Sequence, residues 1–576
     1  MLRPVYTEPE NCQDCYKCIR ECPVKAIKVE DNKASIIAER CVYCGHCTQV
    51  CPTGAKKVRD GLTRAKLVLA KYPGKVYLSL APSYISEFTD CETSRLIDAI
   101  KGLGFAGVSE TALGAELVTA ATERFLETAP KGVYISSACP VVVDYIRKYA
   151  PQLTDHITPI VSPMVAHAKM LKELYGDDIK IIFAGPCVGK KSEADSFGDL
   201  IEVAITFKDL RLWLEREGME TSGSGSSGFI PYRSGMGSVY PLEGGMLAGF
   251  KSHGSKASRM AFSDLTSIKG LLSGLDTQQY DDTIFLELLA CKGGCINGPA
   301  GLNNTSLAMK HYTVSVNCDD SEPDDKPDFS DIDLSINFVP DPQNSRTEYP
   351  EYKIKEALAA VGKTSAADEL NCSSCGYDTC RDFAVALLEG RAEDNMCASY
   401  MRRVAHDKAT VLLQKIPAGV VLVNDELKIV DMNRAFAASM GEDTLGVYDV
   451  FPGMAGAPLK AVCPFEGLFR TVLATGEEIK ERRIKENGRS WLLSIYNIQP
   501  QKQVFGLLQD LREMNVQKDW MLEKTREVIR NHMTTVQKVA GLLGENAAYT
   551  DATLRSIMEA YGKEEEAETE DEYTMK

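Results

Sequence analysis

The chain has 576 residues, about four domains' worth at roughly 150 residues each, so one fold does not cover it. Apolar residues at 44% and charged residues at 25% are ordinary for a globular protein, and no run approaches the roughly 18–20 apolar residues of a bilayer span, which argues against an integral membrane protein. The net charge of -16 is concentrated: residues 319–351 hold 11 acidic against 2 basic side chains and residues 563–576 hold 7 against 2, leaving no basic stripe for nucleic acid or anionic lipid.

The opening MLRPVYTEPENC has no basic flank, apolar core or small-residue cleavage site, so a cytoplasmic protein is expected. Nineteen cysteines are then hard to account for as disulfides, because a reducing compartment keeps thiols open. They read as metal ligands.

Residues 1–60 contain C-x2-C-x2-C-x3-C-P twice, as Cys12, Cys15, Cys18, Cys22 and Cys41, Cys44, Cys47, Cys51, a repeat about 29 residues long. Three closely spaced thiolates wrap three corners of an iron-sulfur cube while the fourth, after a turn, serves the other cube. The expected sets are Cys12, Cys15, Cys18 and Cys51 for one [4Fe-4S] cluster and Cys41, Cys44, Cys47 and Cys22 for the second. Tetrahedral zinc is the alternative for such thiolates, although zinc modules rarely carry four cysteines per half with the trailing proline. The segment resembles the bacterial two-cluster ferredoxins.

From residue 61 to 318 apolar runs alternate with helical stretches. VYLSLAP, GVYISSACP, KIIFAGPCVG and TIFLELLACKGGC end in glycine, proline or cysteine, and SRLIDAIKGLG, AELVTAATERFLE and MVAHAKMLKELYG carry helical periodicity. This alternation predicts an α/β domain with largely parallel strands, whose ligand loops lie beyond the strands' carboxyl ends. Cys139, Cys187, Cys291 and Cys295 all fall there. TSGSGSSGF at 221–229 reads as a flexible surface insertion, and residues 319–350 as an acidic linker in which IDLSINFV can pair as a strand.

Residues 351–408 hold Cys372, Cys375, Cys380 and Cys397 at C-x2-C-x4-C-x16-C, with a helix over residues 381–390 before the last cysteine. Four cysteines alone do not choose between zinc and a cluster. The resemblance to small iron-sulfur domains of redox proteins implies a third [4Fe-4S] cluster. Residues 409–513 read as strands and helices opening with IPAGVVLVNDELKIVDMNRAF, which resembles the start of a PAS sensor domain, Asn433 and Phe436 included. In 514–576, Leu522, Ile529, Val536 and Leu543 recur every seven residues, predicting a coiled-coil helix that pairs two chains, with an acidic tail. His532 reads as a plain heptad position.

S-S-A-C-P at 136–140, G-P-C-V-G-K-K-S-E at 185–193 and E-L-L-A-C-K-G-G-C-I-N-G-P at 287–299 resemble, in order and spacing, the three signatures of the [FeFe]-hydrogenase catalytic domain, T-S-C-C-P, M-P-C-x-x-K-K-x-E and E-x-M-x-C-x-x-G-C-x-x-G-G. That resemblance implies an H-cluster: a [4Fe-4S] cube on Cys139, Cys187, Cys291 and Cys295, joined through Cys295 to a diiron unit with CO, CN and dithiolate ligands. It implies that Lys190 bonds a cyanide, that Glu193 fixes Lys190, and that Ser137, Pro140, Met164, Gly185, Pro186, Leu289, Gly293 and Gly294 line the cofactor, the two glycines letting the backbone pass close to it.

The departures carry weight. Ala138 stands where active members carry a proton-relaying cysteine, and a methyl group neither donates nor accepts a proton. Gly185 and Leu289 replace methionines, and Met164 stands where the family often has glutamine. Glu116 and Glu243 are the candidate substitute relay, and both also read as ordinary surface or salt-bridged glutamates. Cys91, Cys318 and Cys463 are left as unligated thiols.

The whole therefore reads as a multidomain α/β and α+β chain: two-cluster ferredoxin module, hydrogenase domain, small iron-sulfur domain, PAS-like domain and C-terminal helix. The combination resembles the sensory [FeFe]-hydrogenases. It implies slow, reversible reaction with H2 and protons, an electron carrier such as ferredoxin, and a kinase, phosphatase or regulator that reads the PAS domain. The alternatives are a metabolic ferredoxin-coupled hydrogenase and an iron-sulfur scaffold without a diiron site.

Overall fold

The structure is a computed structural model that describes residues 3–251, 257–275, 282–302, 305–318, 327–341, 348–486 and 489–510. The heptad helix expected over 514–576 lies outside the described residues. The chain divides into two compact units, Met1–Glu393 and a second that begins at Asp394.

In the first unit, the ends of the first cysteine segment pair as antiparallel ribbons, Val5–Thr7 with Lys56–Val58 and Ile27–Glu30 with Lys33–Ile36. Between the ribbons the cysteine loops take left-handed backbone at Asp14 and Tyr16 (φ 56° and 55°) and at Tyr43 and Gly45 (φ 51° and 78°). Non-glycine residues occupy this region sparingly, and when they do the surroundings must hold them there.

The apolar runs that follow become two parallel sheets rather than one. The four-stranded sheet is ordered Gly107–Glu110, Val76–Leu80, Lys180–Gly185, Val203–Thr206, and the three-stranded sheet Ser258–Ser263, Ile284–Leu289, Val133–Ile135. Their central strands are apolar on consecutive residues because helices cover both faces. The helical stretches read from the sequence become Thr93–Gly102, Ala112–Thr128 and Pro163–Tyr175. Gly114 sits where a Cβ would lie 2.3 Å from the Pro163 carbonyl oxygen, so two of these helices approach backbone to backbone.

His167, on the helix Pro163–Tyr175, is fully buried, with Nδ1 2.7 Å from the Ser79 hydroxyl and Nε2 2.8 Å from that of Ser109. Burial pushes its pKa down to about 3. Below the usual imidazole range near 6.5 the unfolded chain therefore takes up a proton that the folded chain refuses. Stability is expected to fall as pH drops from about 6.5 towards 3, by about 1.4 kcal/mol per unit from this group. Urea unfolding at pH 7 and pH 4.5 checks this, and His167→Gln is expected to show a smaller loss between the two.

Two segments differ from their sequence reading. The insertion at 221–229 is tied along the helix Thr93–Gly102: Gly225 N–H donates to Ser94 Oγ (3.2 Å), Ser226 N–H to Asp98 (2.8 Å), and Phe229 is buried. Within the acidic stretch, residues 327–341 are a strap rather than a free linker. Ser335 bridges Ile160 antiparallel, Val161 N–H donates to the Leu334 carbonyl (2.9 Å), Arg147 Nε donates to the Val339 carbonyl (2.7 Å), and Phe329 and Leu334 are buried. Apolar side chains spaced among the aspartates anchor it, whatever the net charge. The unit closes with the helices Glu351–Ala360 and Cys380–Leu388, packed through Ala357, Leu358 and Ala384.

In the second unit the helix Ala398–Lys415 starts directly after Cys397. A five-stranded antiparallel sheet follows, ordered Ile429–Met432, Gly419–Asn424, Gln503–Asp510, Arg489–Gln499, Ile479–Glu486. Three helices, Arg434–Met440, Glu442–Val450 and Glu466–Thr475, lie between Ile429–Met432 and Ile479–Glu486, the second and third strands of this sheet in chain order. Buried Asn433 joins the parts: its Oδ1 accepts from Val420 and Phe436 N–H (2.8 and 2.9 Å) and its Nδ2 faces the Leu413, Ile416 and Ala418 carbonyls (3.0, 3.2 and 2.8 Å). Cys463 is buried in the apolar core of this unit.

Candidate metal centre

Each hydrogenase-type motif follows a strand. Cys139 comes after Val133–Ile135 and caps the helix Pro140–Tyr149, with Pro140 in the first turn where no N–H partner is needed. Cys187 comes after Lys180–Gly185, and Cys291 and Cys295 after Ile284–Leu289. One loop therefore leaves the four-stranded sheet and two leave the three-stranded sheet. All four thiols are largely buried and within electrostatic reach of one another: Cys295 responds to Cys139 and Cys187, and Cys291 to Cys187, Cys295 and Cys139.

Burial raises each of Cys187, Cys291 and Cys295, with Cys187 pushed up to about 11. Three thiols raised in this way do not ionise together unless a cation supplies the compensating charge. The donor set fits an iron-sulfur cube. Among the described residues no three His, Cys, Asp or Glu side chains close around a single metal ion.

The loops are shaped by close approach. At Gly294 (φ 102°) a Cβ would lie 2.2 Å from the Pro241 carbonyl oxygen, and at Gly293 (φ 74°) 2.5 Å from Leu307. The room that these glycines leave on the Cβ side is taken by protein. At Gly185 a Cβ would meet Phe183 at 2.7 Å and Ala81 at 3.0 Å, so an aromatic ring fills the space a side chain there would need. Met164 and Leu289 are buried, and Ser137 Oγ donates to the Ile160 carbonyl (2.5 Å). Pro186 offers its carbonyl to Ala300 N–H (3.0 Å), which ties the Cys187 loop to the segment after Cys295.

Lys190 lies on the helix Gly189–Ser196 that follows Cys187, and its ammonium donates to Glu193 (2.7 Å), to Ser162 Oγ (2.9 Å) and towards the Ala138 carbonyl (3.5 Å). Both members of the pair are only 12% exposed. Cys187 and Cys295 both feel its positive charge. A cavity of about 250 Å³ opens beside it, lined by Ser137, Ser162, Glu193, Asp144 and Arg147 and roofed by Phe338 and Val339 of the strap.

The two candidate relay glutamates are placed differently. Glu116 accepts from Gly235 and Gly237 N–H (2.8 and 3.3 Å) on the wall of a cavity of about 780 Å³. Glu243 is exposed and accepts from Ser263 Oγ, whose oxygen in turn takes Gly293 N–H (2.8 Å).

Glu287 was missed as a site residue. It sits on the central strand Ile284–Leu289, 1% exposed, its two oxygens accepting from Met246 and Leu247 N–H at 3.3 Å, and it is within electrostatic reach of Cys295 and Glu243. Burial pushes its pKa up to about 7. A carboxyl inside the apolar run IFLELL was the available signal, since a lone acid seldom occupies a doubly covered strand without a task.

In the ferredoxin segment, Cys18 is within electrostatic reach of Cys15, Cys51 and Cys12, while Cys44 and Cys47 respond to Cys22 and Cys41. Cys44 also reaches Cys187 and Cys291. Gly45 makes this possible: at φ 78°, a Cβ there would lie 2.6 Å from Pro299 and 2.8 Å from Val188, so the second cysteine loop seats directly on the Cys187 and Cys295 loops. Lys148 and Tyr149 clamp the same junction through the Cys41 and Arg40 carbonyls (2.8 and 2.6 Å). In the small module Cys380 is the first residue of its helix, capped by Thr379, and Cys372 is exposed, while Cys397 lies in the second unit.

The model of the iron-only hydrogenase large subunit, C-terminal domain, matches residues 74–299. The chain is [FeFe]-hydrogenase-like. A 4Fe-4S dicluster domain matches residues 11–55 and an Fe-S cluster family residues 368–399, so iron-sulfur cofactors belong to this hydrogenase-like chain. Iron hydrogenase 1 of Clostridium pasteurianum is 24% identical over 288 residues, 40% of this chain and 50% of the relative. The chain thus spans about half the length of the curated relative it matches. Among solved structures, the [FeFe]-hydrogenase HydA(deltaEFG) is 19% identical, covering 45% of this chain and 89% of that one with a TM-score of 0.35. A variant of HydA1 from Chlamydomonas reinhardtii is 18% identical, covering 44% and 87% with a TM-score of 0.34. No helix among the described residues is long and apolar enough to cross a membrane.

Proposed function

We propose that this protein reacts reversibly with H2 at an H-cluster held by Cys139, Cys187, Cys291 and Cys295, turns over slowly, and serves as an H2 or redox sensor. The single observation that carries the reading is that four thiols from three loops, Cys139 buried and the others partly so, lie within electrostatic reach of one another, with Cys187 and Cys295 also feeling the charge of Lys190, at a site where Ala138 supplies no proton-relaying thiol. When bound, the diiron unit supplies the metal centre for H2 chemistry and the cubes supply one-electron steps.

The chain's own residues do the rest. Lys190 would present its positive charge to the diiron unit when that group is bound, and Glu193 with Ser162 holds the ammonium in place. Met164, Leu289 and Phe183 exclude water from one wall. Glu287, poised near neutrality beside Cys295, holds or releases a proton where the usual thiol is missing, and exposed Glu243 connects it towards solvent. Residues 1–60 hold two [4Fe-4S] clusters and the Cys372, Cys375, Cys380 and Cys397 set a third. An electron carrier such as ferredoxin and a cytoplasmic setting go with this chemistry.

The sensory part rests on the second unit. Its sheet order and the helices inserted between its second and third strands suit a PAS-like fold over 409–513, and Asn433 ties the preceding helix to the sheet. A kinase, phosphatase or regulator would read it, and a homodimer through the PAS domain and the C-terminal helix would carry the signal.

Infrared spectroscopy on the full chain, reconstituted with iron-sulfur clusters and a synthetic diiron cofactor, tests the reading. CO and CN bands that shift under H2, with slow H2 evolution, are the expected result. Shifting bands with fast turnover would transfer the protein to metabolic hydrogenases. Absent bands would leave an electron-transfer scaffold.

A further inference from the structure

The small cysteine module seats on the dicluster module by the same device that seats the dicluster module on the hydrogenase domain. Gly376 lies between Cys375 and Tyr377 at φ 94°, and a Cβ there would lie 2.8 Å from Ile19 Cγ2 and 3.3 Å from the Arg20 nitrogen. Ile19 follows Cys18 directly. One glycine next to a cysteine thus touches one residue next to another, as Gly45 does at the opposite face with Val188 beside Cys187.

The contact is broad. Arg20 donates to the Ser374 carbonyl (3.4 Å), Lys25 pairs with Asp378 (3.3 Å) and Arg40 with Glu389 (3.1 Å). Val29 N–H donates to the Arg391 carbonyl (2.9 Å), and Asn32 N–H reaches Glu393 (3.4 Å). Ile19 and Tyr377 are buried by it. Three basic side chains that would otherwise offer an acidic electron carrier a landing site are occupied within the chain.

We propose that the Cys372–Cys380 loop is the outer end of a single electron wire and exchanges electrons with the Cys12, Cys15, Cys18 and Cys51 site, so that any external carrier meets the small module and not this face of the dicluster module. The inference rests on the reading that these thiolates hold [4Fe-4S] cubes. Each transfer is one electron: one cube is oxidised by one unit, its neighbour reduced by one, and no bond or proton moves. The geometry gives the order, because Gly376 abuts the turn after Cys18 while Cys44 reaches Cys187 and Cys291.

Electron paramagnetic resonance on the full chain, reconstituted with iron and sulfide and reduced with dithionite, tests this. Cys375→Ser is expected to lower the iron content by about one cube and to slow the spin relaxation of the remaining reduced clusters several-fold, with narrower lines. Gly376→Ala keeps every cysteine, is expected to retain the iron, and should slow relaxation in the same direction by pushing the module off Ile19. Dicluster relaxation and line shape unchanged by the loss of iron in Cys375→Ser would overturn the proposal, as would unchanged iron in that variant. Dithionite replaces H2 as reductant, so absent CO and CN bands, which would sink the H2 reading, leave this outcome legible.

Discussion

Replacing Glu287 with glutamine is expected to lower H2 evolution and H2 uptake by the reconstituted protein by about 10²-fold, the lower end of what a positioned acid or base contributes. The carboxyl is a buried titratable group within reach of Cys295, and its pKa of about 7 lets it hold and release a proton near neutral pH. Glutamine keeps the size and its one oxygen accepts from one of the Met246 and Leu247 N–H groups, so the strand Ile284–Leu289 keeps its packing at the loss of one hydrogen bond. It cannot exchange a proton. The wild-type rate should show a limb with a midpoint near pH 7 that the variant lacks. Unaltered turnover in the variant, with CO and CN bands intact, would remove Glu287 from the proton route.

The second large effect concerns stability. Glu87 has a fully buried carboxylate that accepts from Lys310 Nζ (2.5 Å) and from Leu302 N–H, and Lys310 also donates to the Ile296 carbonyl (3.3 Å). The pair staples the segment after Cys295 between the helices Tyr84–Glu87 and Leu307–Val316. Lys310→Met removes this ammonium from the buried Glu87 carboxylate, and breaking a buried pair at one end typically costs about 3–5 kcal/mol. Chemical unfolding of the cluster-free chain should show a loss of that size. Iron retention after reconstitution should fall as well, because Cys295 sits one residue before Ile296. Glu87→Gln combined with Lys310→Met should recover much of the loss, since a buried pair replaced at both ends strands no charge.

Much of the architecture was legible because it is local. The apolar runs at 76–82, 132–140, 180–189 and 283–295 became strands, and the periodic stretches between them became helices within a few residues of their expected bounds. The hairpin and later strands of 409–513 were equally visible, since alternation and turn residues act over a handful of positions. Other features were not legible. That the strands split into two sheets depends on which apolar faces meet, and periodicity is silent on that. The pairing of IDLSINFV was legible, but the anchoring of the rest of 327–341 was hidden by its aspartates, because a few apolar side chains outweigh solvated charge. Glu287 and the Glu87–Lys310 pair escaped notice because burial, not residue type, makes a carboxyl exceptional.

Taken alone, the sequence determined the cysteine spacings, the hydrogenase-like motifs, the alternation of strand and helix and the alanine at 138. Each is a property of neighbours along the chain, where bond geometry limits what the backbone can do. Only the tertiary structure decided that Cys44 lies near Cys187 and Cys291, that Gly376 rests on Ile19, and that Glu287 lies beside Cys295. The first two join residues far apart in the chain, with Gly376 and Ile19 more than 350 positions apart, and packing of whole faces rather than local propensity brings them together; Glu287 and Cys295 are close in the chain, and the return of the loop after the strand brings them within reach.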